Sequence, residues 1–353
     1  SNASLTVNAE SEGTSISISP TTTSTTYGSE TGITYTGTVT GQSNDGYPEG
    51  TVTVKTSGGT DLCSVITLGT GTSDTNTYSC PISSNTLLTA STYTVTATYT
   101  PGAGSSSNGD FSYSGSTSSN ASLTVIKSPT YVGVGTAQTW TSAGTETVAY
   151  PSSLASGDLL LLMIANSQGS TMSCPSGWSA AGTVSTTNGD NAGFESCYLI
   201  WSTGSSVSVT TTTAGWVAEI AAFSDVGSTP LDGVTPVTTI SGTDTSTFTP
   251  SGITTNSNGD LALSLAMQDD GSEFSVPTLN FTGTGGSAQG FTAVASTTVS
   301  DSSFSGWDDA AEAFAYQQIA TAGGVTYPTW TTNHTAFNGS IWLGLSIALQ
   351  PAS

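Results

Sequence analysis

Carboxylates are the one plentiful group in this sequence that could do chemistry, because the chain has 24 Asp and Glu residues against two Lys, one His and no Arg. Two carboxyl groups are enough to hydrolyse a glycosidic bond. Glu195 and Glu219 are the candidates, since both lie in strand-like segments where an inward-facing carboxyl would have the raised pKa of a general acid. Glutamates more often face solvent. We therefore expect that Glu195 and Glu219 do not face each other at the separations of about 5 to 10 Å found in glycosidases.

The single histidine, His334, lies in a turn-like segment. A serine-type triad would use it as the base, but the sequence has no Gly-x-Ser-x-Gly turn to supply the nucleophile. One histidine without free cysteines also gives too few ligands for a transition metal. We therefore expect neither a triad nor a zinc site.

Acidic loops could instead bind calcium, which prefers oxygen ligands. The candidate ligands are Asp269, Asp270, Glu273, Asp308 and Asp309. None of these loops has the Asp-x-Asp-x-Asp-Gly spacing of a calcium-binding loop. Because Asp and Gly are also the ordinary residues of turns, solvated turns are favoured; calcium is the alternative, and no other cofactor is expected.

Aromatic side chains in loops could form a ligand-binding platform, because the apolar face of a sugar ring packs on a flat indole. The aromatic residues in loop-like contexts are Trp178, Trp307, Tyr327 and Trp330. By contrast, Trp216 and Trp342 lie in apolar runs that predict buried strands. For the four loop residues, packing at the edge of a sheet is the alternative.

The cysteines fall into two local pairs, Cys63 with Cys80 and Cys174 with Cys197. A Cys-x-x-Cys spacing for zinc or redox chemistry is absent. The local pairing predicts one disulfide in each half of the chain, and disulfides persist in oxidising compartments. Four free thiols in a cytosolic protein are the alternative.

The elements that carry these residues differ between the two parts of the chain. From residue 8 to 125, apolar and polar residues alternate with period two, as in 15–19, 32–39 and 92–99, and clusters of Gly, Pro, Asn and Asp separate the runs. About seven half-buried strands fit into this length, which is typical of an immunoglobulin-like sandwich. Ser-Leu-Thr-Val at 122–125 repeats 4–7. We interpret 1–7 as a tag scar followed by the end of a preceding repeat.

Several motifs of the first part resemble those of the bacterial Ig-like repeats of surface and secreted proteins. They are Gly-Thr-Val-Thr-Val at 50–54, the cysteine pair, the Tyr93–Tyr99 strand and the closing Ser-Leu-Thr-Val. This resemblance covers residues 8–125, and it implies a role as a spacer or adhesive stalk with neighbouring Ig-like repeats as partners.

Residues 126–353 contain two similar halves. Gly157-Asp158 and Gly259-Asp260 each open an apolar strand, and apolar strands around Trp216 and Trp342 close the halves. This order predicts a larger jelly-roll-like β-sandwich. We expect a strand from 313 to 319 rather than a helix, because the surrounding sheet outweighs the helical propensity. The pattern resembles a broad group of bacterial and phage extracellular sandwich domains of mostly unassigned role.

The charge balance and the lengths of the apolar runs exclude several classes of function. A net charge of −22 excludes nucleic acid as a partner, because phosphates are bound by Lys and Arg. The longest apolar run has seven residues, which is too short for a membrane-spanning helix. We therefore expect a non-catalytic extracellular or cell-surface fragment, with an Ig-like spacer and an adhesive or ligand-displaying head that binds a glycan or a host or surface protein. The alternatives are a carbohydrate-binding module of a secreted hydrolase, and a carboxylate-dependent hydrolase in the second domain.

Overall fold

A computed structural model describes residues 11–63, 65–83, 88–107, 112–167, 172–186, 192–213, 215–232, 236–241, 245–269, 279–281, 291–294, 297–298, 310–327, 329–332 and 341–352. The chain is all-β, as predicted, with one short 3-10 turn, Glu30–Gly32, in this described part. It forms two compact units, and the boundary lies between Lys127 and Ser128. Across these described ranges, no helix has the length and apolar character needed to cross a membrane.

The strands of the first unit are short except for four. They are β1 (Ser11–Glu12), β2 (Ser15–Ile16), β3 (Ser19–Pro20), β4 (Ser24–Thr26), β5 (Thr34–Thr40), β6 (Pro48–Thr56), β7 (Ile66–Thr67), β8 (Thr75–Pro81), β9 (Ser91–Ser106), β10 (Ser112–Tyr113), β11 (Ser116–Thr117) and β12 (Ala121–Ile126). One main sheet has the order β4-β12-β9-β6-β7, with β11 on β9, and a second has β2-β5-β3, with β8 on β5; β1 and β10 form a separate parallel pair.

The core of the first unit takes alternate residues from both sheets, because successive side chains of a strand point to opposite faces. Val52 and Val54 come from β6, and Tyr35 and Val39 from β5; all are fully buried. The predicted Cys63–Cys80 disulfide is present, with a Cα–Cα distance of 5.8 Å. It joins β8 to the segment that follows β6.

Gly37 offers a test of this packing. A Cβ atom at Gly37 would lie 2.0 Å from the carbonyl oxygen of Ser17 and 2.6 Å from the Tyr78 ring. We expect Gly37→Ala to lower the free energy of unfolding of the first unit by about 1 to 3 kcal/mol, because neither neighbour can move without loss of strand contacts. Calorimetry measures the shift. Gly13→Ala is the control, since a Cβ there meets nothing within 4 Å, and an equal loss in both variants would contradict the account.

The strands of the second unit follow in two similar sets. They are β13 (Thr130–Val134), β14 (Gln138–Trp140), β15 (Gly144–Ala149), β16 (Leu159–Asn166), β17 (Ser179–Ser185), β18 (Gly193–Ile200), β19 (Ser206–Thr211), β20 (Trp216–Ser224), β21 (Val226–Leu231), β22 (Val237–Ile240), β23 (Thr247–Phe248), β24 (Ile253–Thr254), β25 (Asp260–Asp269), β26 (Leu279–Phe281), β27 (Thr292–Ala293), β28 (Thr297–Thr298), β29 (Ala310–Ile319), β30 (Gly324–Val325), β31 (Trp330–Thr332) and β32 (Ile341–Pro351). The strand expected at 313–319 is confirmed as part of β29, which begins at Ala310.

Each half contributes one main sheet. The first has the order β13-β20-β16-β18-β17 with β14 on β20, and the second has β21-β32-β25-β29-β27 with β22 and β28 at its edges. The two central strands, β16 and β25, have the same register. Leu161 pairs with Tyr198 and Ala221 in the first half, as Leu263 pairs with Tyr316 and Ile347 in the second.

The two main sheets share one hydrophobic core, called here the central core. It takes Leu161 and Met163 from β16 and Leu263 and Leu265 from β25. The outer face of the first sheet is covered by the two-stranded β15–β19 sheet, and the outer face of the second by the short strands β23, β24, β30 and β31. Both faces of the central strands are therefore buried, which explains the continuous apolar run at 159–165 and the run at 261–267, in which Ser264 is the one polar residue.

Candidate functional site

The predicted Cys174–Cys197 disulfide is present and holds a surface turn against the first sheet of the second unit. Cys197 lies in β18, and the two Cα atoms are 5.7 Å apart. The next residues form a turn in which the Trp178 amide donates to the Pro175 carbonyl oxygen at 3.0 Å. Gly177 has a φ of 86°, which a type II turn requires at its third position. The disulfide thus fixes the turn that presents Trp178.

Trp178 has an aromatic neighbour. The Trp178 ring is partly exposed, and its centroid lies 6.3 Å from that of the partly exposed Tyr150 at an angle of 56°. Trp201 is also partly exposed, and its indole Nε1 donates to the Gly204 carbonyl oxygen at 3.1 Å. Gly204 lies against Tyr150, since a Cβ built there would be 3.6 Å from the Tyr150 ring. We call Tyr150, Trp178 and Trp201 the aromatic corner.

The aromatic corner is built on the outer layer of the first half. All three side chains pack on the cluster that contains Leu162 and Val209, and each keeps part of its ring at the surface. A ring fixed in this way loses little conformational freedom on binding a ligand. Of the four aromatic candidates from the sequence, Trp178 is the one that the structure leaves accessible among the described residues.

Two of the other aromatic candidates are interior residues, which corrects the expectation of a loop platform. Trp330 is 1% exposed, and its Nε1 donates to the Ser264 hydroxyl at 2.9 Å. Tyr327 is buried, and burial raises the pKa of its hydroxyl. Both residues belong to the layer that covers the outer face of the second sheet, and their rings fill the hydrophobic clusters between that layer and the sheet. Trp307 lies outside the described residues, and Trp216 and Trp342 are buried as predicted.

Glu195 and Glu219 point to opposite faces of one sheet. Glu195 is paired with Ile164 of β16, and Glu219 with the preceding residue, Met163. Paired residues share a face and successive residues alternate. The two carboxyl groups are therefore separated by the sheet, and in this arrangement they cannot act together on a glycosidic bond.

Glu195 lies beside the Cys174–Cys197 disulfide. It accepts a hydrogen bond from the Thr183 hydroxyl. Burial raises the pKa of its carboxyl, and the Thr183 hydrogen bond partly offsets this rise. Although Cys174, Glu195 and Cys197 lie close enough to surround an ion, the two sulfurs are bonded to each other and are not thiolate ligands.

Glu219 instead lies near a second buried glutamate, Glu312, in the central core. Glu219 is 2% exposed and Glu312 is fully buried. Burial raises the pKa of Glu312 well above its ordinary value, and the nearby Glu219 charge raises it further. The matched registers of the halves place an apolar residue at each equivalent position: Leu345 for Glu219 and Phe194 for Glu312.

Sequence reasoning missed Glu312, although one signal was available. Glu312 follows Ala310 and precedes Phe314 at the period-two spacing of an inward face. The second sheet places this face toward β20, where Glu219 lies.

The calcium candidates are not brought together by the described residues. Asp269 is fully buried at the end of β25, on the face that carries Met267 into the central core, so it is not a solvated loop residue. The remaining candidates Asp270, Glu273, Asp308 and Asp309 lie outside the described residues, as does His334.

Comparison with known proteins adds no argument about the fold or the function of this chain. No family model and no curated protein matches the chain. Among solved structures, a mutant of Salmonella alpha-2-macroglobulin matches with 11% identity over 98% of this chain and a TM-score of 0.20. The E. coli alpha-2-macroglobulin matches with 9% identity over 96% and a TM-score of 0.18. The chain spans 24% and 22% of their lengths. Scores this low carry no argument, and the β-sandwich architecture rests on the structure itself.

Proposed function

We propose that this chain belongs to an extracellular or cell-surface protein in which the first unit is an Ig-like spacer and the second is a non-catalytic, ligand-displaying head. The observation that carries the proposal is the Cys174–Cys197 disulfide, which fixes the turn of a partly exposed Trp178. A disulfide that fixes the turn of a surface aromatic residue preorganises that residue for contact with a partner.

The disulfides support a location outside the cytosol. Each unit has its own disulfide and its own hydrophobic core. Such bonds are stable in oxidising surroundings and rare in the cytosol. With two Lys and no Arg in the chain, trypsin-like proteases also find few cleavage sites, which suits a protein outside the cell.

A carbohydrate-binding module is the second candidate, and the aromatic corner favours it. Tyr150 and Trp178 present two differently tilted ring faces, with Trp201 on the same layer. Sugar rings pack their apolar faces on such surfaces while their hydroxyl groups remain hydrated. The carboxylate-dependent hydrolase is not proposed, because Glu195 and Glu219 lie on opposite faces of a sheet and both are buried.

Binding by the aromatic corner can be tested with Trp178→Ala. We expect this variant to lose at least tenfold in binding to the ligands that the wild-type chain recognises on an array of glycans and extracellular proteins, because interface tryptophans are frequent hot spots. Tyr27→Ala is the control, since Tyr27 is 45% exposed and lies in the first unit. Undiminished binding by Trp178→Ala would contradict the assignment of the site.

A further inference from the structure

The second half of the second unit contains another pair of buried carboxyl groups. Asp260 opens β25 and is fully buried, and Asp232, which follows β21, is 1% exposed. The backbone amides of the adjacent residues Asn256 and Ser257 donate to Oδ2 of Asp232 and to Oδ2 of Asp260, which places the two carboxyl groups side by side. Asp232 follows β21, which pairs with β32 at the edge of the second sheet, so the carboxyl pair links this edge to the start of the central strand β25.

Asp232 is held firmly in place. Its amide donates to the Ala348 carbonyl oxygen at 3.0 Å, and its Oδ1 accepts from the Gln350 side-chain amide at 3.1 Å. Its Oδ2 accepts from the Asn256 backbone amide. These contacts leave the carboxyl group little freedom to turn away from Asp260.

Asp260 has the same local role as Asp158 in the first half. The Oδ2 of Asp260 accepts from the Ser257 amide at 3.3 Å, and the Oδ2 of Asp158 accepts from the Ala155 amide at 2.8 Å. Each aspartate thus closes the Gly-Asp turn before its central strand. Since the turn forms in the first half around Asp158, the contact with Asp232 is an addition specific to the second half.

The surroundings of the pair supply no compensating positive charge in the described part of the chain. Gln350 from β32 and Gln318 from β29 are neutral, and Gln318 donates to the Gly259 and Asp260 carbonyl oxygens. The turn contributes the neutral Asn256 and Ser257. Asp232 is the ionisable group that acts on Asp260. Two carboxyl oxygens can share a hydrogen bond only when one of them carries a proton.

We propose that Asp232 and Asp260 form a proton-dependent latch, in which one shared proton ties the end of β21, at the edge of the second sheet, to the start of the central strand β25, and its loss loosens that connection. At low pH the latch is closed. Once both carboxylates are charged, they repel each other in a buried site.

The direction of the pH dependence follows from linkage. Burial, followed by the charge and hydrogen bond of Asp232, raises the pKa of Asp260 from 3.8 to about 7. The folded state therefore binds more protons than the unfolded state between these two values. The contribution of the pair is complete below about pH 4 and is lost as the pH rises through about 7.

Thermal unfolding of the full chain between pH 5 and 8 tests the latch. All seven tryptophans follow residue 127, so tryptophan fluorescence reports the second unit alone. In Asp260→Asn the amide replaces the protonated carboxyl, and the melting temperature relative to wild type should rise by roughly 5 °C or more from pH 5 to pH 8. Asp158→Asn, at the equivalent turn of the first half, is the matched control, and the rise in Asp260→Asn should exceed any change in that variant.

A second variant and added calcium distinguish a shared proton from a cation site. Asp232→Asn should remove the same pH-dependent component, and the double variant should add nothing further, because the two groups share one proton. A flat difference for both single variants would overturn the latch. Stabilisation of the wild type by millimolar calcium at pH 8, absent in Asp260→Asn, would also overturn it, since the pair would then be a cation site.

Discussion

Replacing Glu312 with leucine should stabilise the second unit by about 1 to 4 kcal/mol at pH 8, because a carboxyl group in the central core costs free energy that an apolar side chain does not. Glu312 is fully buried, and its register equivalent in the first half is Phe194, so the position accepts an apolar residue. Tryptophan fluorescence during urea unfolding measures the change.

The gain should be smaller at pH 5. Burial and Glu219 raise the pKa of Glu312 in the folded state. The stability contributed by the protonated carboxyl group is therefore present below the ordinary pKa of glutamate, and it is lost as the pH rises from that pKa toward the raised pKa of the folded state. Glu146→Leu is the control, because Glu146 is exposed on β15. If Glu312→Leu destabilises the unit at both pH values while Glu146→Leu does not, the glutamate pair has a stabilising role that this account denies.

Removing the Cys174–Cys197 disulfide should produce two separable effects. Because the cysteines are 23 residues apart in sequence, the Cys174→Ala/Cys197→Ala variant should lose about 3 kcal/mol of stability in the second unit. It should also weaken ligand binding as Trp178→Ala does, because the turn from Pro175 is no longer fixed to β18.

The first unit supplies a matched control for this experiment. Cys63 and Cys80 are 17 residues apart, and their removal should cost the first unit a similar free energy, about 3 kcal/mol. The tryptophan signal of the second unit should not change in that variant. Full ligand binding by Cys174→Ala/Cys197→Ala would show that the disulfide does not position Trp178.

The sequence predicted the elements better than their contacts. Alternation identified the long strands β5, β6 and β9 of the first unit, whose described residues form twelve strands rather than the seven expected, and the spacing of the cysteines identified both disulfides. The strand at 313–319 was also correct, because the sheet pattern outweighed the alanine-rich composition. These features depend on local periodicity, which a single sequence displays.

The features that the sequence did not predict depend on which strands and sheets pack against each other in the fold. Trp330 follows Pro328 and Thr329 and has a loop-like context, but it lies in β31, which covers the second sheet. A solvent-facing position was the favoured expectation for Glu219, but Glu219 is buried, and its neighbour Glu312 comes from the opposite sheet. Pairing across a core leaves no periodic signal, so one sequence could not show it.

The central claim is that the second unit displays a ligand without altering it. Mass spectrometry of the array ligand after prolonged incubation with the full chain tests this claim most directly. We expect the ligand to be recovered with its mass unchanged. A cleaved product that Glu219→Gln no longer generates would contradict the account and support a hydrolase.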